Sequence, residues 1–237
     1  MSFRRSRTVV EIINELKSAN RQLYVCPSLR LRDFVAEYGQ PYSEMLGIEL
    51  MPKRKGEIVK WFLASILYSK PIRESSATRT YQAFAKNRVA TARRIVNAGW
   101  DQLVRMLDEG GYTRYDFSTA DKLLEVFNNL ERSYGGDLRR LYKQSKDEEE
   151  LESRLKGLGK GIGETTISIF LRDMRHIWPK VNPRPTPLVA TALNQLHIKD
   201  LNQYARKHSI DVVRLETALV RYSKNFLKKR KALSLQP

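Results

Sequence analysis

Apolar residues recur at helical spacing along nearly the whole chain, and this bounds the fold more tightly than any single motif. Val9, Ile12, Ile13 and Leu16 follow the i, i+3, i+4, i+7 pattern of one helix face. "SLRLRDFVAEYG" reads as a helix with a Ser cap and a Gly stop. "MPKRKG" at 51–56 reads as a loop, and "EIVKWFLASILYS" after it as a mostly buried helix. "ESSATRTYQAFAKN", "VATARRIVNAG" and "WDQLVRMLDEGG" predict three more helices, the last closed by a glycine pair. Ser118 is expected to cap a helix running to Gly135. "DLRRLYKQSKDEEELESRLKGLG" predicts two short helices, with acids at the start of the second, where the dipole favours them. "ETTISIFLRDMRHIW" follows. "PKVNPRPTP" must then be an ordered or extended loop, and "LVATALNQLH", "DLNQYARKHS" and "DVVRLETALVRYSKNFLKKRKAL" are helical again. No strand signal or tandem repeat stands out, so the expected class is all-α.

The charge narrows the partners. Of 237 residues, 43 are Lys or Arg and 26 Asp or Glu, a net charge of +17. Such an excess raises the potential over the surface and favours polyanions, nucleic acid first and acidic membrane second. Apolar residues at 41% supply a sizeable core. The one cysteine, Cys26, builds no disulfide framework within the chain and fits a reducing, intracellular setting. No run of eighteen apolar residues exists, so no transmembrane helix is expected. The basic start "MSFRRSR" lacks the apolar stretch of a signal peptide. His176, His197 and His208 lack paired ligand spacing for zinc. The tail "LKKRKALSLQP" reads equally as a solvated end or a DNA contact, and the basic amphipathic stretch "VRYSKNFLKKRKAL" also suits acidic lipid.

One stretch asks for a specific use. "LKGLGKGIGETT", Leu155–Thr166, places four glycines in twelve residues between two helical segments. Glycines let the chain turn sharply and let another backbone come close. The second helix then opens with free N–H groups and the positive end of its dipole, a seat for a phosphate. Gly159, Gly161 and Gly163 form the turn, Ile162 points inward to pin it, and Thr165 and Thr166 offer hydroxyls. Lys156 and Lys160 add charge. Glycine-rich nucleotide loops normally follow a strand, and neither GxxxxGK[ST] nor GxGxxG fits in register. A plain helix–helix turn is the alternative.

With this turn the chain resembles the helix-hairpin-helix (HhH-GPD) superfamily of base-excision DNA glycosylases, near endonuclease III. "EIVKWFLASILYSKPIRESSATRTYQAFAKN" is similar to that family's opening helix, turn and second helix. "GWDQLVRMLDEGGYTRYDFSTADKLLEVFNNLERSYGG" is similar to its middle helices, and "LESRLKGLGKGIGETTISIFL" to its hairpin and following helix. "IWPKVNPRPTPLVATALNQL" falls at its catalytic loop. The likeness runs from about residue 57 to 196. It implies a two-lobed, all-α protein, with a helical extension over 1–56, a core over 57–200, and C-terminal helices over 201–237 packing with the N-terminal part. It implies double-stranded DNA, damaged or mismatched, as partner, and a base flipped into a pocket. Lys70, in "YSKP", falls where the family inserts a side chain into the gap left by the base. A monomer is expected, as is no membrane partner.

The resemblance breaks at the chemistry. The family's catalytic aspartate follows the hairpin helix; here Pro185 stands at that position, and no Asp or Glu occurs from Arg175 to Lys199. The lysine that bifunctional members use as an amine nucleophile is Thr165 here. The four cysteines of an iron–sulfur cluster are missing, so no cofactor is expected. A monovalent ion on hairpin carbonyls, Leu158, Lys160 and Gly163, is implied by the family alone. Three readings follow. One is a glycosylase with a relocated carboxylate, for which Glu164, Asp173 and Asp116 are candidates. Another is a protein that binds altered DNA without cutting it. The third is a scaffold for protein contacts. "RDMRHIWP" gathers Arg172, Arg175, His176 and Trp178, which read either as a base-reading cluster or as core closure.

Overall fold

The structure, a computed structural model, describes residues 31–51 and 53–224. The helix expected over Val9–Leu16, Ser28 with its cap, Cys26 and the basic tail beyond 224 lie outside the described residues. All the regular structure described is helical, with no strand among the described residues. The helices are α1 (Leu31–Tyr38), α2 (Tyr42–Met45), α3 (Lys55–Tyr68), α4 (Glu74–Lys86), α5 (Ala92–Gly110), α6 (Asp116–Tyr134), α7 (Leu138–Gln144), α8 (Glu148–Lys156), α9 (Glu164–Met174), α10 (Pro187–Gln195), α11 (Leu201–Lys207) and α12 (Val212–Tyr222).

Local chemistry sets most of the ends. Asp137, Asp147, Asp200 and Asp211 each stand at an N-cap and accept a backbone N–H of the first turn. Gly111 and Gly135 close α5 and α6 in left-handed geometry. Gly99, at φ 71° and ψ 173°, breaks α5 into two helical pieces. That break falls where the sequence separates "VATARRIVNAG" from "WDQLVRMLDEGG". One expected cap is corrected. Helix α6 begins at Asp116, not after Ser118, whose Oγ instead donates to the Tyr115 carbonyl at 3.2 Å inside the first turn.

The chain divides into two compact units. One comprises Ser43–Arg184; the other joins the described residues up to Tyr42 to those from Pro185 on. The boundaries expected at 56/57 and 200/201 fall inside these units.

The Ser43–Arg184 unit is built around α3. Its apolar residues cover the whole circumference, so it is stable only when surrounded, and every residue from Trp61 to Tyr68 is buried. It packs against α4, α7 and α9. Phe62 meets Phe127 of α6 and Phe170 of α9 edge-on, at 6.1 and 5.0 Å between ring centres. The Trp61 indole N–H donates to the Phe170 carbonyl at 3.0 Å, so burying the ring strands no donor. In the second unit α12 packs on α1, α10 and α11. The Arg221 guanidinium donates to the carbonyls of Tyr38 and Gln40 and lies over the Tyr42 ring, 4.7 Å from its centre.

Candidate nucleic-acid interface

The glycine turn joins α8 to α9 within the Ser43–Arg184 unit. Gly163 is the N-cap of α9 and offers no side-chain cap. Among the described residues, the N–H groups of Gly161, Gly163, Glu164 and Thr165 meet no hydrogen-bond acceptor. Gly161, Gly163 and Thr165 are exposed, so these donors face outward at the positive end of the α9 dipole. Ile162 is buried, which pins the turn from the inside.

Two of the glycines differ in what they do. Gly161 sits at φ +107°, a backbone that L side chains rarely adopt, and a Cβ there would stand 2.7 Å from Lys122 Cδ. Gly163 has ordinary backbone geometry and no atom within 4 Å of the place a Cβ would take. Gly161 makes the turn possible, whereas Gly163 leaves space above it.

The turn rests on one face of α6. Asn129 Nδ2 donates to the Leu158 carbonyl at 2.9 Å, and Glu125 accepts the Lys160 N–H at 3.1 Å. Gly159 lies against Val126 and Glu125, and Gly161 against Lys122. Residues 122, 125 and 129 are spaced i, i+3, i+7 and so share a face. The sequence reading passed over all three. Their spacing was visible, but nothing local says which face of a helix will receive a turn thirty residues away. The Gly163 carbonyl accepts the Ile167 N–H as the first bond of α9. With the Leu158 carbonyl engaged as well, an ion on the three expected carbonyls would have to share two of them.

The charged residues around the turn fall into two groups. Lys156 is paired with Glu164 across the hairpin and, at 3.8 Å, with Glu152. The Glu164 carboxylate holds Lys156 protonated, above the ordinary lysine value. Both ends of the pair are exposed, so it holds by no more than about 1 kcal/mol and opens readily to a phosphate. Lys160 has no ion-pair partner among the described residues. Lys70 follows the C-terminus of α3 and is half-buried beside Lys122. Burial first, and the Lys122 charge second, push its amine down to about 8.

Three of the expected site residues, Thr166, Arg172 and Asp173, are buried, and Arg175 is engaged by the proline-rich loop. Arg172 is buried inside the unit, its Nε bonded to Asp173 Oδ1 at 2.8 Å, and cannot touch a duplex as it stands. Thr166 faces inward from the first turn of α9 and is buried too. Arg175 Nη2 donates to the Pro183 carbonyl at 3.1 Å, which fixes the proline-rich loop. Asp173, the second carboxylate candidate, is buried and bonded through both oxygens. Its Oδ2 accepts the Ser43 hydroxyl at 2.7 Å and the Ser43 N–H at 3.3 Å, while Oδ1 takes Arg172. The two Ser43 donors thus add hydrogen bonds to a buried Arg172–Asp173 charge pair. Trp178 is likewise core, stacked on Tyr142 at 4.6 Å.

The other two carboxylates are placed differently. Glu164 is exposed and paired with Lys156. Asp116 accepts the Phe117 N–H at 2.7 Å at the start of α6. It lies six residues before Lys122, about 9 Å along the axis from the face that carries the turn. At the loop itself, Thr186 caps α10 by accepting the Val189 N–H, and Pro187 takes the first helical position. "RPTP" is therefore a helix start, which accounts for its residues without catalysis. Among the described residues no three His, Cys, Asp or Glu side chains come together as a metal site requires.

Fold and turn together define an all-α chain whose helix–glycine turn–helix presents backbone donors outward. Compared with family models, curated proteins and solved structures, the chain matches none.

Proposed function

We propose that the chain binds double-stranded DNA by seating a backbone phosphate on the Gly161–Gly163 turn, in the manner of the HhH-GPD proteins it resembles. One observation carries this reading: four outward N–H donors at a helix start, with Gly163 leaving the approach open. Lys160, Thr165 and Lys156 lie around them, and the net charge of +17 draws a polyanion to the surface. The contacts are to phosphate, so they set register and carry no sequence preference.

Gly163→Leu tests this. The backbone tolerates the substitution and no neighbour clashes with its first carbon, so helical content and stability stay near wild type. The side chain fills the phosphate seat, and duplex affinity falls by about tenfold or more, the order expected for losing a charge-assisted contact. Unchanged affinity with an intact helical spectrum removes the turn from the interface.

Between base excision and recognition without cutting, the locked Asp173 favours recognition. A single-turnover panel decides, using duplexes with uracil, hypoxanthine, 8-oxoguanine, a guanine–thymine mismatch, an alkylated purine or an abasic site. Alkali-dependent cleavage of one duplex establishes excision. Tight binding of one duplex with no cleavage establishes a recognition protein.

A further inference from the structure

Trp100 and Phe117 stand outside the core that residues of their type usually fill. They are two of the four large apolar side chains exposed among the described residues, at 38% and 58%. They lie against each other, 5.1 Å between ring centres and tilted by 41°. Two helices bring them together. Gly99, in left-handed backbone, breaks α5 and sets Trp100 at the head of its second piece. Phe117 stands in the first turn of α6. Asp121, four residues on and so on the same face, accepts the Trp100 indole N–H at 2.9 Å. That bond holds an exposed ring in one orientation.

The charge around the rings is the reverse of the charge on the chain. Asp121 and Asp116 have no ion-pair partner among the described residues, although the chain carries 43 Lys and Arg. Arg114 lies over the Tyr115 ring, 5.8 Å from its centre, and not against Asp116. Lys122 follows Asp121 in sequence but leans on Gly161. Asp121 Oδ1 takes the indole N–H, and Asp116 Oδ1 takes the Phe117 N–H at 2.7 Å. Among the described residues, the second oxygen of each carboxylate meets no donor.

Ring faces beside open carboxylates select a cation, because both attract one. A guanidinium meets the pair best: it is planar, stacks on aromatic faces and donates in a fork to a carboxylate. A nucleobase would stack too, but its phosphates would arrive beside two unpaired acids, a like-charge contact that opposes binding. The net charge of +17 repels a cation at long range, so an arginine that binds here is held by local contact.

We infer that the Trp100–Phe117 pair, with Asp116 and Asp121, is a docking surface for an arginine side chain of a partner protein. The guanidinium lies against the exposed rings and donates to the open carboxylate oxygens. This surface does not depend on the DNA-binding reading.

The test follows the indole N–H resonances of the full chain by NMR as peptides are added. Trp100 is assigned by the signal lost in Trp100→Phe, and the buried Trp61 and Trp178 serve as internal controls. Tetra-arginine should shift the Trp100 signal to saturation and leave the other two in place. Tetra-citrulline, of the same shape without the charge, should shift none. Phe117→Ala removes an exposed ring, and Asp121→Asn removes the charge while it keeps an oxygen for the indole N–H, so both should retain the wild-type helical spectrum. Each should weaken tetra-arginine binding by about threefold or more. An equal response to tetra-citrulline overturns the inference in favour of an uncharged partner. No Trp100 shift with either peptide overturns it outright, as does arginine binding that either variant leaves unchanged. A Trp100 shift with a single-stranded oligonucleotide but not with tetra-arginine overturns it in favour of base stacking.

Discussion

Asp173 shows how much a single position can mislead. Read along the chain, it is one of several acids near a glycine turn. In the structure it neutralises Arg172 inside the core and accepts the hydroxyl and N–H of Ser43. Asp173→Ala leaves the guanidinium buried without its counter-charge and should cost about 3–5 kcal/mol, measured by urea unfolding. A loss of any DNA activity at full stability would instead point to a catalytic Asp173. Nothing in the sequence revealed this, because the hydroxyl that decides it lies 130 residues away. Lys70 carries a second consequence at this scale. Its folded value of about 8 lies below the unfolded value near 10.5, so between those values the unfolded chain holds the extra proton. Raising pH across that window therefore relieves a cost in the folded state and raises stability. The difference between wild type and Lys70→Met, followed by unfolding at pH 7 and pH 10, should narrow as pH rises; a constant difference would mean the amine is not perturbed.

At the scale of elements, the helices were largely legible and their faces were not. Glycine stops, aspartate caps and 3.6-residue spacing are local signals, and α3, α4 and α7–α12 lie where those signals put them. The division of 89–111 into two helices was legible for the same reason, since Gly99 holds a backbone that a side chain resists. Gly99→Ala should cost about 1–3 kcal/mol through that strain alone, as nothing surrounds the site to clash. Thermal unfolding checks it, and an unshifted midpoint would mean that α5 straightens without loss. The start of α6 was misplaced because Ser118 is a better cap by type than Tyr115. The chain instead let Asp116 take the Phe117 N–H and began the helix earlier. The support of the glycine turn by α6 stayed hidden because Lys122, Glu125 and Asn129 read as an ordinary polar face.

For the whole molecule, the net charge makes the most general prediction. If phosphates are the contacts, the logarithm of duplex affinity falls linearly with the logarithm of salt concentration, with a slope near −0.9 per phosphate neutralised. Anisotropy titrations from low to high salt measure it. Gly163→Leu should lower affinity with little change in slope, because it blocks a backbone donor and removes no cation, whereas Lys160→Ala should reduce the slope by about one. A flat salt response would exclude a backbone-tracking surface. Charge and helical class were legible at this scale because both are sums over many residues. The division at Tyr42 and Arg184 was not, because it depends on which distant segments choose each other.

That division has a temporal side. All of Ser43–Arg184 leaves the ribosome as one uninterrupted stretch, and the tie from Ser43 to Asp173 fastens its beginning to its last helix. Its companion is assembled from both flanks, with α1 made long before α12, on which it packs. During synthesis the apolar side of α1 waits, uncovered, for well over a hundred residues. A nascent chain stalled short of α12 would present Phe34 and Val35 to whatever chaperone is at hand.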